Sequence, residues 1–364
     1  MMKVRYLLAL CAFAGLCSCA PKKSAAPSSD RPFPCAEIPV MLEDPAERSS
    51  WLAQHFWDRF TAPDSLFFCD SLHVNGVLQE ELEKQTGLFA RVLEQVSSAD
   101  GIRAMQRLFS RAEAFQQARP SGNLFPRLTE LVAKYFYDPN SPVRSEELYL
   151  PYASGLSRSE LLSPTERQRY AREAQLCALN RPGTPAADFT FIDASGRRRT
   201  LYGIKADLTL LIFGNPDCHT CREIQEALSA SETLSEAIAS GQLKVVDIYI
   251  DEDIDAWKRQ KDSFPSNWIN GYDPSFVIRT DLLYNVRALP SLYLLDANKI
   301  VLVKDGTPEK LFVALGGQNR AGQRALKIQM MASSRTSPGR RTVEGKSGRL
   351  GESGQCWHSM ATAS

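Results

Sequence analysis

The chain has 364 residues, 43% of them hydrophobic and 23% charged, a globular balance in a length that suits two domains. Its 43 basic and 42 acidic residues leave a net charge of +1, which provides no electrostatic footprint for nucleic acid or an anionic surface.

At the N-terminus, Lys3 and Arg5 precede a short apolar core from Leu7 to Leu16, too short to span a bilayer as a mature helix and patterned as a secretion signal. It ends in Leu16-Cys17-Ser18-Cys19, which resembles a bacterial lipobox. The resemblance implies a lipoprotein signal peptide over 1–18, acylation of Cys19, and a mature protein tethered to a membrane through its lipid. An ordinary signal peptide cut nearby is the plainer alternative. No other run approaches the roughly 20 apolar residues of a spanning helix. The expected location is the bacterial cell envelope, facing the periplasm, with the outer membrane preferred to the inner because no acidic residue closely follows Cys19.

Export changes the meaning of the nine cysteines, since disulfides form and persist outside the cytosol. Cys11 and Cys17 leave with the signal and Cys19 takes the lipid. Cys35, Cys69, Cys177, Cys218, Cys221 and Cys356 remain, and only Cys218 and Cys221 are close in sequence. Any bridge among the other four is long-range and its pairing is not deducible.

From 19 to 44 the chain is rich in Pro, Ser and Ala, the composition of a flexible linker. Over 45–178 the pattern is helical. Leu78, Leu82, Phe89, Val92, Leu93 and Val96 recur at three- and four-residue spacing, and similar stripes run through 102–115 and 124–136, separated by Pro120 and Gly122. Ser163-Pro164-Thr165-Glu166 is a helix start, with a cap, Pro at the first helical position and Glu at the third. An all-helical domain of about five or six helices follows from these signals. It serves either as a packed bundle or as a surface for a partner. His55 and His73 are isolated and read as structural or surface residues.

After Arg181-Pro182-Gly183 the period changes. Residues 188–204 alternate around Ala194-Ser195-Gly196 as a hairpin, Leu208–Gly214 is a buried strand, and Leu243–Ile250 is another. Residues 291–303 are two short strands about Asp296-Ala297-Asn298, and 308–315 begins a closing helix. The order predicts an α/β sandwich on a central mixed sheet over 182–332. The Ser-, Gly- and Arg-rich segment 333–364 reads as a disordered tail.

Cys218-His219-Thr220-Cys221 lies between the first buried strand and a helix. There the first sulfur meets unsatisfied backbone N–H groups and the positive end of the helix dipole, which favour thiolate over the ordinary thiol. Cys218 is then placed to attack a substrate disulfide and Cys221, one turn on, to resolve the mixed disulfide. His219, when charged, would further favour the thiolate; otherwise it is a solvent-facing loop residue. Pro290 stands immediately before a strand, a position where an X-Pro bond is a candidate cis bond.

With Pro185, Asp188-Phe189, Asp193, Gly196, Thr200-Leu201, the Cys-X-X-Cys pair and Pro290 in this order, residues 182–332 resemble the thioredoxin superfamily, more narrowly the TlpA-like periplasmic thiol–disulfide oxidoreductases. The whole chain resembles bacterial lipoproteins that join an uncharacterised helical domain to such a unit. The resemblance implies a thioredoxin-like fold, a cis bond at Pro290 beside the dithiol, and backbone groups there that pair with an extended substrate strand. It implies protein disulfide or dithiol substrates, an upstream electron donor or acceptor and no cofactor. Asp217 replaces the Trp usual before the first cysteine, and Ile212 takes the place of the acid that thioredoxin buries six positions before it. Proton transfer to Cys221 therefore has no partner assigned in the sequence, although Glu223 lies nearby.

Three functions fit these residues: a thiol–disulfide oxidoreductase, working as reductant or exchanger; a partner-binding or chaperone lipoprotein that uses the helical domain; and a metal site. The last lacks a second Cys or His pair at suitable spacing.

Overall fold

The computed structural model describes residues 30–63 and 67–316. The signal segment 1–18, the lipidation site Cys19, residues 317–332 of the C-terminal domain, and the tail 333–364 with Cys356 lie outside the described residues. No helix among those described is long and apolar enough to cross a membrane.

The N-terminal domain is built from α1 (Pro45–His55), α2 (Gln79–Glu94), α3 (Ser98–Ala118), α4 (Leu124–Val132), α5 (Glu146–Leu156) and α6 (Pro164–Cys177). Local sequence sets their limits. The Ser163 hydroxyl and the Glu166 carboxylate cap each other's backbone at the start of α6, with Pro164 at the first helical position. At the start of α3 the Ser97 hydroxyl accepts the Asp100 N–H, a one-way cap. The apolar stripe of α4 runs on into a π-helical turn, Ala133–Tyr137, and ends before Pro139. A two-residue hairpin of β1 (His73–Val74) and β2 (Val77–Leu78) precedes α2, at a place where the sequence predicts only helix. Its turn needs Asn75 and Gly76 at positive φ, and a Cβ on Gly76 would press on Phe67.

Part of the expected linker is docked on this domain. Phe33 is buried against Phe60 and Trp57, with ring centroids 5.2 and 5.5 Å away, and Arg31 donates to the Asn75 carbonyl at 2.8 Å. Burying one aromatic ring is worth roughly 1.5–3 kcal/mol, enough to fix a short Pro-rich segment whatever its composition suggests.

The C-terminal domain has β3 (Thr190–Asp193), β4 (Arg198–Thr200), β5 (Leu208–Gly214), α7 (His219–Ser229), α8 (Glu232–Ala239), β6 (Leu243–Tyr249), α9 (Ile254–Gln260), β7 (Ile269–Tyr272), α10 (Val277–Thr280), β8 (Ser291–Asp296) and β9 (Val301–Val303); residues 308–316 are helical. The seven strands form one mixed sheet in the order β4-β3-β7-β6-β5-β8-β9, with β5, β6 and β7 parallel and the others antiparallel to their neighbours. This is the sandwich predicted from the sequence, with β7 added. Every residue of β5 is buried, because both its edges are hydrogen-bonded and both its faces are covered. Leu211 and Phe213 enter one core with Phe189, Phe191 and Tyr284. Leu210 and Ile212 enter the other with Leu228 of α7 and Leu311 of the closing helix.

The two domains meet through buried charge. Glu146, the first residue of α5, is 4% exposed. Its Oε1 accepts from Asn285 Nδ2 at 2.5 Å and Arg287 Nε at 2.7 Å, and its Oε2 lies 2.7 Å from Lys304 Nζ, an ion pair without hydrogen-bond angles. Arg287 also donates to Asp305 Oδ2 at 3.2 Å and lies over the Tyr137 ring. Burial alone would lower the Arg287 pKa, but Glu146 and Asp305 outweigh it and raise the value. Removing one partner from such a group costs about 3–5 kcal/mol, since it leaves a buried charge unpaired.

Gly271 of β7 is a point of close approach: a Cβ there would lie 2.6 Å from the Ile192 carbonyl oxygen on β3. Backbone cannot yield as a side chain can, so Gly271→Ala is expected to destabilise the protein by about 1–3 kcal/mol, read as a lower urea midpoint.

Candidate functional site: a dithiol at a strand-to-helix junction

After β5 ends at Gly214, the chain turns through Asn215, Pro216 and Asp217 and enters α7 with Cys218 as its N-cap. The turn is held by the Cys218 N–H to the Asn215 carbonyl at 3.0 Å and by Arg222 Nη1 to the Pro216 carbonyl at 2.7 Å. The Cys218 sulfur accepts the Cys221 N–H at 3.3 Å, filling the role that a Ser or Asp oxygen plays in other helices. The same sulfur lies 3.8 Å from the Leu289 carbonyl. Leu289–Pro290 is a cis peptide bond, as the resemblance implies, and β8 begins at the next residue. Two elements about 70 residues apart thus meet at one sulfur.

The two thiols differ in surroundings. Cys218 is half-buried and Cys221 buried. Burial pushes the Cys221 thiol well above its ordinary pKa, and the neighbouring Cys218 and Asp247 push the same way.

Asp247 is a site residue that sequence reasoning missed. It stands on β6 directly opposite Ile212 of β5, in parallel register, so it occupies the sheet face covered by α7. With Gly214, Pro216, Cys221, Phe264 and Pro290 it lines a cleft of about 10 Å³ beneath the dithiol, near the lower limit for holding one water. The carboxyl has no hydrogen-bonding or ionic partner among the described residues, and burial raises its pKa from 3.8 to about 7. A Cβ on Gly214 would come within 3.1 Å of Asp247 Oδ1, so the glycine leaves the carboxyl its room. One signal in the sequence points to it: Asp247 is the lone acid inside the apolar run Leu243–Ile250.

Other residues singled out in the sequence have different roles. His219 is exposed and its Nδ1 lies 3.4 Å from the carboxylate of Glu223; among the described contacts neither reaches a sulfur. Asp217 is exposed and accepts from Gln260 Nε2 of α9 at 2.5 Å. His73 lies between Asp70 and Asp30, 2.9 Å from each, and His55 is 2.7 Å from Asp58. Cys177 is buried, Cys69 accepts the Asn75 N–H at 3.3 Å, and Cys35 rests against the helical core. No three His, Cys, Asp or Glu side chains among the described residues converge as metal ligands.

The chain is similar to a thioredoxin-like protein from Bacteroides caccae, with 34% identity and a TM-score of 0.69 over 79% of this chain and 99% of that one. The C-terminal domain of an uncharacterized protein from Bacteroides fragilis is 47% identical over 38% of this chain and 98% of its own, with a TM-score of 0.37. A thioredoxin domain of a thiol-disulfide oxidoreductase from Bacteroides vulgatus is 20% identical over 38% of this chain and 96% of its own, with a TM-score of 0.34. Residues 17–180 match a family described as a domain of unknown function, DUF5106. No curated protein matches. With the sheet, the dithiol and its proline loop arranged as described, and a relative matched along nearly its full length, the chain belongs to the thioredoxin-like proteins.

Proposed function

We propose that the protein is a thiol–disulfide oxidoreductase, tethered to a membrane of the bacterial envelope through Cys19, that reduces or exchanges protein disulfides outside the cytosol. The observation that carries this reading is the asymmetry of the pair: Cys218 is half-buried at a helix N-terminus beside the Leu289 carbonyl, and Cys221 is buried against an acid. The resemblance of residues 182–332 to the TlpA-like thiol–disulfide oxidoreductases supports the same reading.

In the forward direction the Cys218 thiolate attacks one sulfur of a substrate disulfide. A Cys218–substrate disulfide forms, and the substrate's other sulfur leaves as thiolate. Cys221 then gives its proton to the Asp247 carboxylate, directly or through one water, and its thiolate attacks Cys218 Sγ. The Cys218–Cys221 disulfide closes and the second substrate sulfur is released. The substrate gains two electrons and two protons overall, and an upstream dithiol must return them to the enzyme. An acid with a pKa near 7 exchanges protons readily at neutral pH.

Cys221→Ala is expected to accumulate a mixed disulfide on Cys218 in cells, identified by mass spectrometry after non-reducing electrophoresis. Cys218→Ser is expected to abolish turnover of insulin disulfides, and full turnover by that variant would overturn the proposal.

Asp247 gives a second prediction with a definite sign. Its folded pKa lies above the ordinary value, so the native state holds the extra proton and stability declines as pH rises from about 4 to about 7. The gap between 3.8 and about 7 corresponds to about 4 kcal/mol. Asp247→Asn should therefore stabilise the protein at pH 8 by up to about that amount, and hardly at pH 4, as measured by urea unfolding at both values. The same variant should close the Cys218–Cys221 bond at least about tenfold more slowly at neutral pH.

A further inference from the structure

The ionic cluster between the domains does not grip the C-terminal domain at random. Asn285 and Arg287, both bonded to Glu146, lie just before Leu289–Pro290, and Ser291, just after it, donates to Asp305 Oδ1 at 2.9 Å. Asp305 in turn receives Arg287 and faces Arg144 of the helical domain at 3.5 Å. Lys304, next in chain to Asp305, joins Glu146 to the carbonyls of Cys177 and Leu179 at the end of α6. Both ends of the segment 287–291 are therefore anchored in one buried charge cluster, and the middle of that segment presents the Leu289 carbonyl to Cys218 and Pro290 to the cleft below Cys221.

We propose that Glu146, in the helical domain, is a positioning residue for the dithiol site: through Asn285 and Arg287 it holds the segment that carries Leu289 and Pro290 against Cys218. This rests on the oxidoreductase reading above and gives the helical domain a part in it. Charge suits the role because Glu146 combines burial with three partners, and a loop held by such a group has one arrangement instead of several. An extended substrate strand that pairs beside Pro290 then meets a preformed surface and has no loop to order on binding.

The test uses the full chain with Glu146→Gln and, separately, Asn285→Ala, which leaves the Glu146–Arg287 and Glu146–Lys304 pairs in place and keeps the question open to measurement if the first variant does not fold. Hydrogen exchange is read across both domains, and KM and kcat are read with insulin and with the small disulfide of 2-mercaptoethanol. The expected result is exchange at least about tenfold faster at the amides flanking Pro290 with the rest of the protein unchanged. Alongside it, KM for insulin should rise about fivefold or more while turnover of the small disulfide stays within about twofold. Unchanged exchange in this segment, a rise spread evenly over both domains, or an unchanged KM for insulin in a folded, active variant would overturn the proposal. If the wild-type protein turns over neither disulfide, the oxidoreductase reading fails, and local exchange alone then decides whether Glu146 holds the loop.

Discussion

The structure of the C-terminal domain depends on the complete burial of β5. A strand hydrogen-bonded along both edges and covered on both faces can neither slip in register nor shorten, because a one-residue shift would exchange Leu211 and Phe213 with Leu210 and Ile212 between two cores of different shape. Its end at Gly214 is thereby fixed, and the three-residue turn that follows delivers Cys218 to the first turn of α7. The antiparallel neighbour β8 starts opposite Phe213, so Pro290 and Leu289 come to the same end of the sheet. The meeting of sulfur and proline loop is a consequence of one strand's register.

Much of this was legible in the sequence because apolar runs and turn residues are local signals. Leu208–Gly214 is read with its observed limits, the box at Ser163–Glu166 is read in full, and the hairpin about Ala194-Ser195-Gly196 is present. The strand β7 escaped because Ile269-Asn270-Gly271-Tyr272 carries an Asn-Gly pair that usually marks a turn; here the glycine is demanded by the close approach of β3. Phe33 escaped because composition describes a segment and not the pocket that receives it. The sites were legible in proportion to their locality. Cys218 and Cys221 announce themselves by spacing, whereas Asp247 becomes part of the site only through its register with Ile212, and Glu146 meets Arg287 across 141 residues.

The protein spends its near-neutral charge unevenly. Ion pairs with both partners exposed, such as Lys84–Glu80 and Lys258–Asp255, are of the kind worth about 0–1 kcal/mol, whereas Glu146 and Asp247, two of the buried carboxylates, are held in contrasting ways. Glu146 is surrounded by cations and an amide and stays where it is held. Asp247 has no such company and is therefore poised to take or release a proton. Glu146 bonds to Asn285 and Arg287, just before Leu289–Pro290, while Asp247 lines the cleft with Cys221.

The edges of the sheet have a further consequence. On one side the outermost strand, β4, is only three residues long and carries Arg198 and Arg199; on the other, β9 is bridged by residues 183–186 through the Gly183 N–H to Val301 and the Val301 N–H to Thr184. Short, charged or covered edges do not accept a passing extended chain. If the protein exchanges disulfides of extended polypeptides, as proposed, neither side of the sheet would serve as a template on which they could pair and aggregate.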